Sequence, residues 1–139
     1  MQYITNSKEE TVDLGIRLAK TLVPGDFIAF TGGMGAGKTA FCTGIAQGLS
    51  CIDKAGSPTF AIVNYYRGEK PFAHFDFYRA SSLNDLQTAG LFDYLDSGVI
   101  VAAEWSENVA EGLIEPNIKI DIRHSGENKR SITIEGAAL

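Results

Sequence analysis

The residues best able to do chemistry lie in one glycine-rich loop, where residues 32–39 read GGMGAGKT. This stretch fits the phosphate-binding loop pattern G-x-x-x-x-G-K-[ST] at every required position. Glycines can adopt a positive φ angle and turn backbone N–H groups onto a phosphate. Lys38 can reach the outer phosphates of a nucleotide, and the Thr39 hydroxyl can ligate Mg²⁺. The predicted contacts are Gly33, Met34, Gly35, Ala36, Gly37, Lys38, Thr39 and Ala40.

Two carboxylates occupy positions that could complete this site. Glu104 ends the apolar run 99–103, where a nucleotide-binding enzyme places an acidic Mg²⁺ ligand, although a solvated acid at a strand end is the alternative. Asp76 lies among aromatic residues, so if buried it needs a metal ion or a partner. The alternatives to a catalytic role are an ion pair with Arg79 or a side chain on the solvated face. Thr59 could approach Mg²⁺ or the γ-phosphate, but its Ser-Pro-Thr context alone favours a turn leading into a strand.

The segments around the loop predict how it is held. Residues Phe27–Thr31 are apolar and follow Pro-Gly-Asp, which predicts a buried strand. The residues after the loop stay largely apolar to about Gly48, which predicts a helix. A strand, this loop and a helix together aim a helix N-terminus at an anion. These flanks disfavour the alternative of an ordinary glycine-rich turn.

The remaining pattern predicts an α/β fold of the P-loop NTPase type. The chain has 139 residues, which suits a single domain over residues 1–139. We expect a mixed sheet with flanking helices and antiparallel hairpin additions. The further expected strands are 2–5 and 99–103, with hairpins of 60–66 with 72–78 and of 118–124 with 131–134. The further expected helices run from 6 or 7 to about 22, from 81 or 82 to 90, around 92–95, and from a Ser106 cap.

Composition narrows the class of protein. No apolar run approaches the roughly 18 residues of a transmembrane helix, and the first residues lack the pattern of a signal peptide. Two cysteines are too few for a disulfide scaffold, so a cytoplasmic location is expected. The net charge of −5 disfavours unaided binding to DNA or RNA, whose backbone is held mainly by Lys and Arg.

Four segments together carry a family resemblance. They are GGMGAGKT at 32–39, SPTF at 57–60, HFDFYR at 74–79 and EWSE at 104–107. In their order and spacing the chain resembles the bacterial TsaE (YjeE) ATPases of tRNA threonylcarbamoyladenosine biosynthesis. It departs mildly at Ala40, where the family often has Thr, and at Ser106, where the family often has Pro.

The resemblance implies a small Mg²⁺-dependent ATPase that works with two partner proteins, TsaD and TsaB. The complex would install threonylcarbamoyl on an adenosine beside the anticodon, and tRNA would reach this chain only through the partners. By position, Lys38 and the loop would bind the ATP phosphates, and Thr39 and Glu104 would hold Mg²⁺. Asp76 would act in hydrolysis, either as a metal ligand or by orienting water. Ser7 and Thr11 would lie near the nucleotide base.

Other nucleotide-binding classes remain as alternatives. A small P-loop kinase shares the loop but usually adds an arginine-rich lid, and the arginines here are few and scattered. A nucleotide-dependent protein-binding switch of the GTPase type is a second alternative, but the chain contains no [NT]-K-x-D base-reading motif. A structural adaptor with a vestigial loop is disfavoured because Lys38 and Thr39 are both present.

Overall fold

The computed structural model of the protein describes residues 1–33, 35–52, 62–106 and 115–139. The strands in this part of the chain are β1 (Gln2–Thr5), β2 (Phe27–Thr31), β3 (Val63–Tyr66), β4 (Phe72–Asp76), β5 (Ile100–Glu104), β6 (Ile118–His124) and β7 (Arg130–Glu135). The helices are α1 (Lys8–Ala19), α2 (Lys38–Gly48), α3 (Leu83–Thr88) and α4 (Leu91–Asp96), with a 3-10 turn at Phe77–Arg79.

These strands form one mixed sheet in the order β1-β7-β6-β2-β5-β4-β3. Its centre is parallel, with β2 between β5 and β6, and with β4 parallel to β5. The outer strands β3, β7 and β1 are added antiparallel. This arrangement confirms the predicted α/β sheet with antiparallel hairpin additions. The carboxyl ends of the parallel strands meet at one edge, where ligands bind in such sheets.

Helices cover both faces of the sheet. Ile100 and Ala102 of β5 pack in one apolar cluster with the buried residues of α1 and α2. Val101 and Ala103 face the other side and pack in a second cluster with the buried leucines of α3 and α4. Because successive side chains of a strand point to opposite faces, an unbroken apolar run is what a strand buried on both sides requires.

Helices α1 and α2 approach each other closely at two glycines. A Cβ atom on Gly15 would overlap the carbonyl oxygen of Phe41, and one on Gly44 would overlap the carbonyl oxygen of Val12. The two backbones are therefore in direct contact. This contact places the N-terminus of α1 beside the N-terminus of α2, where the glycine-rich loop ends.

Two predicted boundaries are wrong. Helix α1 ends at Ala19 rather than near residue 22, and the backbone N–H and hydroxyl of Thr21 turn back to the carbonyl of Leu18. Strand β4 ends at Asp76 rather than at residue 78, because the Asp76 carboxylate accepts a hydrogen bond from the N–H of Tyr78. Such a local bond competes with the strand ladder and closes the 3-10 turn. Residues 60–61 and the helix predicted after Ser106 lie outside the described residues.

Candidate functional site

The glycine-rich loop joins β2, at the centre of the sheet, to α2. Gly35 and Gly37 have φ angles of 75° and 111°, in the left-handed region that glycine adopts without strain. Gly32 has a φ of 136°, and a Cβ there would overlap the carbonyl oxygen of Ile122. Gly37 is the N-cap of α2, and no side chain caps the first turn of that helix. The N-terminus of α2, where the helix dipole is positive, is thus a place where an anion is stabilised.

The Lys38 side chain folds back across the loop. Its Nζ donates a hydrogen bond to the carbonyl oxygen of Gly32 at 3.1 Å and lies 3.8 Å from Oε1 of Glu104. The ammonium also lies 5.8 Å from the centre of the Tyr78 ring. Only 11% of the Lys38 side chain is exposed. The structure therefore brings together the lysine of the loop and the acid at the end of β5.

Two carboxylates lie side by side at the carboxyl edge of the sheet. Asp76 and Glu104 are register partners on the parallel strands β4 and β5. Burial, and after it the charge of Asp76, raises the pKa of Glu104, while Lys38 and Arg79 act in the opposite direction. Asp76 also forms the ion pair with Arg79 that the sequence offered as an alternative, with 3.3 Å between Nε and Oδ2. Asp76 therefore lies beside Glu104 and forms the ion pair with Arg79 at the same time.

Behind Glu104 lies a buried histidine. Nε2 of His74 is 3.8 Å from Sγ of Cys42 and 3.9 Å from Oε2 of Glu104. Both His74 and Cys42 are inaccessible to solvent, and burial raises the pKa of the Cys42 thiol. Cys42 is thus a small residue of the core, and His74 packs against the inner side of the site.

A pocket of about 440 Å³ opens beside the loop. It brings the N-terminal turn of α1 and the hairpin of β6 and β7 next to Lys38 and Thr39. Ser7 and Thr11, which the resemblance placed near a nucleotide base, are in its wall. The lining residues are Ser7, Lys8, Thr11, Gly35, Gly37, Lys38, Thr39, Ala40, Thr43, Glu104, Asn128 and Arg130.

Four of these residues were missed by reasoning from the sequence: Lys8, Thr43, Asn128 and Arg130. Arg130 is at the start of β7, 94 residues from the loop residue that it contacts, where Nε donates to the carbonyl oxygen of Ala36 at 2.9 Å. No local pattern signals a contact over that distance. Among the described residues that line the pocket, Lys8, Lys38 and Arg130 carry positive charges, and Glu104 carries the one carboxylate. The pocket is thus positive in a chain whose net charge is −5.

Two predicted contacts, Met34 and Thr59, lie outside the described residues, as does the segment around Thr59. Gly33, Ala36 and Asp76 are not part of the pocket wall. Gly33 and Ala36 instead line a second cleft on the other side of the loop, of about 490 Å³, with Asp121 and Arg123 of β6. Asp76 lies beside the main pocket through its neighbour Glu104.

The donor set suits a hard cation such as Mg²⁺. Within residues 1–33, 35–52, 62–106 and 115–139, no three His, Cys, Asp or Glu side chains cluster so as to hold a metal ion alone. Mg²⁺ at a nucleotide site usually takes one or two carboxylates and fills its shell with phosphates and water. Glu104 and the Thr39 hydroxyl line one pocket, and Asp76 adjoins it, which fits that pattern.

In the described part of the chain, no helix combines the length and apolar composition needed to cross a lipid bilayer.

Comparisons with known proteins agree over nearly the whole chain. A family model described as "Threonylcarbamoyl adenosine biosynthesis protein TsaE" matches residues 5–132. Two proteins named tRNA threonylcarbamoyladenosine biosynthesis protein TsaE are similar to this chain. The one from Treponema pallidum is 31% identical over 134 residues, covering 96% of this chain and 99% of that protein. The one from Bacillus subtilis is 33% identical over 134 residues, covering 96% and 84%.

A solved structure is also similar, the crystal structure of YdiB from Bacillus subtilis. Its TM-score is 0.78 at 30% sequence identity, with 96% of this chain and 83% of that chain covered. This likeness agrees with the P-loop NTPase-like fold that the sequence predicts.

Proposed function

The chain belongs to the TsaE family of tRNA threonylcarbamoyladenosine biosynthesis proteins, and from this we propose that it is the Mg²⁺-dependent ATP-binding and ATP-hydrolysing component of that pathway. The observation that carries the proposal is the positive pocket at the N-terminus of α2, lined by Lys8, Lys38 and Arg130 in an acidic protein. A pocket with this charge favours a polyphosphate anion.

ATP binding would rest on the loop and on Lys38. The N-terminus of α2, whose N-cap is a glycine, would present the positive end of the helix dipole to a phosphate. Lys38 would exchange its hydrogen bond to Gly32 for the outer phosphates. The base and ribose would extend toward Ser7 and Thr11, where the pocket continues past the phosphate end.

Hydrolysis would rest on the carboxylates at the sheet edge. Thr39 and Glu104 would hold Mg²⁺, which supplies charge neutralisation on the phosphates. Asp76 would orient the attacking water or share in holding the cation, since it is the register partner of Glu104. Lys38 would stabilise charge on the outer phosphates as water attacks the γ-phosphorus and the bond to the departing ADP breaks.

Changing Thr39 or Glu104 is expected to remove Mg²⁺ dependence rather than ATP binding itself. In Thr39→Ala and Glu104→Gln, the gain in ATP affinity that Mg²⁺ gives should fall by about tenfold or more, because each variant lacks an oxygen ligand. Affinity in EDTA should stay near that of the wild type for Thr39→Ala, and stay or rise for Glu104→Gln, which removes a negative charge near the phosphates.

Isothermal titration of ATP with and without Mg²⁺ measures this difference. Glu115→Gln is the matched control, because its carboxylate is exposed and pairs only with Lys119 among the contacts described. If both Thr39→Ala and Glu104→Gln kept the wild-type Mg²⁺ dependence, the cation would have to be held elsewhere.

The pathway role would be exercised in the cytoplasm within a complex with TsaD-like and TsaB-like proteins. The family establishes the pathway, and the net charge of −5 argues that tRNA is held by the partners rather than by this chain. ATP hydrolysis here would support turnover of the transfer reaction carried by the TsaD-like partner.

The test is a reconstituted threonylcarbamoyl transfer to tRNA under multiple-turnover conditions. The arms omit the chain, add the wild type, or add Asp76→Asn. Asp76→Asn should bind ATP within a few-fold of wild type but hydrolyse it roughly 10²-fold more slowly, because it loses the carboxylate charge in nearly the same shape. Product yield with this variant should fall toward that of the arm without the chain.

Equal yields in all three arms would refute a role in turnover. An undiminished ATPase rate in Asp76→Asn would show that its carboxylate serves only the turn and the Arg79 ion pair.

A phosphotransferase is the less favoured function. Arg79 is paired with Asp76, Arg123 with Asp121, and Arg130 with the loop carbonyl of Ala36, so these three arginines around the site already have partners. Transfer of the γ-phosphate to a small acceptor faster than to water would restore the kinase alternative.

A further inference from the structure

We propose that Arg130 is a positioning residue that keeps the phosphate-binding loop in its anion-binding shape before any nucleotide arrives; this rests on the ATP site proposed above. Arg130 begins β7, where it is the register partner of Thr5 on β1 and of His124 on β6. Its backbone is therefore fixed between two neighbouring strands, and its side chain reaches from the sheet to the loop.

The contact that matters is the hydrogen bond from Nε of Arg130 to the carbonyl oxygen of Ala36, at 2.9 Å. Nη1 donates to the carbonyl oxygen of Lys129 at 3.1 Å, which fixes the plane of the guanidinium. Ala36 is almost fully buried, so bulk water cannot replace Arg130 as the hydrogen-bond donor to its carbonyl oxygen. A charge-assisted bond to a buried carbonyl is among the stronger hydrogen bonds in proteins.

The peptide between Ala36 and Gly37 is the part of the loop most in need of such a restraint. A peptide unit is planar and trans, so fixing the direction of the Ala36 carbonyl also fixes the N–H of Gly37, which points the opposite way. Gly37 has a φ of 111° and lacks a Cβ, so nothing in its own side chain resists a flip of this peptide. A flipped peptide would exchange an N–H group for a carbonyl oxygen on the phosphate side, and two negative groups repel.

Through Arg130, the conformation of the loop also depends on the terminal hairpin of β6 and β7. The Cβ position of Gly37 is 3.8 Å from Nε of Arg130, 3.8 Å from a methyl group of Ile122 and 3.8 Å from a methyl group of Thr11. The loop is thus enclosed by β6, β7 and α1 together. A shape held from outside the loop is preorganised, which lowers the entropic cost of binding a phosphate.

The experiment compares Arg130→Met, which keeps the aliphatic stem, with Arg130→Lys, which keeps a charged donor. Lys129→Ala is the matched control, because it removes a neighbouring exposed positive charge, and among the contacts described its side chain makes none with the loop. The probes are ATP and inorganic pyrophosphate, each titrated by calorimetry. Arg130→Met should lose about tenfold or more in affinity for both probes, Arg130→Lys should recover most of it, and Lys129→Ala should bind like the wild type.

A second measurement is made without ligand, because a direct phosphate contact by Arg130 would give the same affinities. Amide hydrogen exchange of Gly37 and Lys38 should be at least tenfold faster in ligand-free Arg130→Met than in the wild type. If Arg130→Met were too unstable to study, Arg130→Ala and Arg130→Gln would be compared in the same exchange measurement.

The outcomes separate this inference from the function on which it rests. If the wild type failed to bind ATP, the ATP site itself would be wrong. Wild-type ATP binding with unchanged affinity or unchanged loop exchange in Arg130→Met would overturn the positioning role alone. Loss of ATP affinity without loss of pyrophosphate affinity would also overturn it, because Arg130 would then act on the base or ribose.

Discussion

Replacing Lys38 by alanine is expected to lower ATP affinity by about a hundredfold or more. Lys38 places a largely buried ammonium at the loop end of the pocket, where it is hydrogen-bonded to Gly32 and lies 3.8 Å from Glu104. A hydrogen bond to a charged partner contributes about 1.5–3 kcal/mol, and each 1.4 kcal/mol is about tenfold in affinity. The variant also leaves the Glu104 carboxylate without this counter-charge beside an incoming triphosphate, which adds repulsion to the lost attraction.

Isothermal titration of ATP measures the effect, with circular dichroism to confirm that the variant folds. Lys119→Ala is the control, because it removes the same charge from an exposed side chain on β6. Wild-type ATP affinity in Lys38→Ala would contradict the assignment of residues 32–39 as the phosphate-binding loop.

The second large effect is expected on stability, in Gly44→Val. The Cβ of any other residue at this position would overlap the carbonyl oxygen of Val12, so α1 and α2 must move apart to accept valine. Overpacking of a close contact costs about 1–3 kcal/mol, and a backbone-to-backbone clash belongs at or above the upper end of that range. We expect the free energy of unfolding to drop by roughly 3 kcal/mol.

The control for this change is Gln47→Val, which introduces the same branched side chain on the exposed side of the same helix. Its cost should stay below about 1 kcal/mol, the range of helix propensities. Urea unfolding of both variants separates the two contributions. Equal stability of Gly44→Val and Gln47→Val would show that the helices are not in backbone contact at this point.

The sequence predicted the elements that are defined by local pattern. The loop, the strand before it and the helix after it depend on residues within about 25 positions of one another, and all three form as expected. The buried parallel strand β5 was predicted because its apolar run does not alternate, and Glu104 at its end meets Lys38. The places of Ser7 and Thr11 in the pocket came from the family resemblance rather than from pattern.

What the sequence did not predict depends on the order of strands in the sheet. Arg130 reaches the loop only because β7 folds back beside β6, which in turn pairs with β2. No residue near Arg130 in the chain signals that neighbour. The ends of α1 and β4 were placed too late because Thr21 and Asp76 form local hydrogen bonds that outcompete continuation of the helix and the strand. The roles predicted for Met34 and Thr59 stay predictions.

The carboxylate of Asp76 is tied to an exposed turn on the surface of the protein. One of its oxygens holds the N–H of Tyr78 at 3.0 Å and the other lies 3.3 Å from Arg79, so both are occupied within its own 3-10 turn. Tyr78, at the middle of that turn, is 65% exposed. A ligand that draws this carboxylate toward the sheet edge competes with the hydrogen bond that closes the turn. If binding at the sheet edge and binding at Tyr78 are coupled through that bond, the coupling is reciprocal, and each binding event changes the affinity for the other by the same factor.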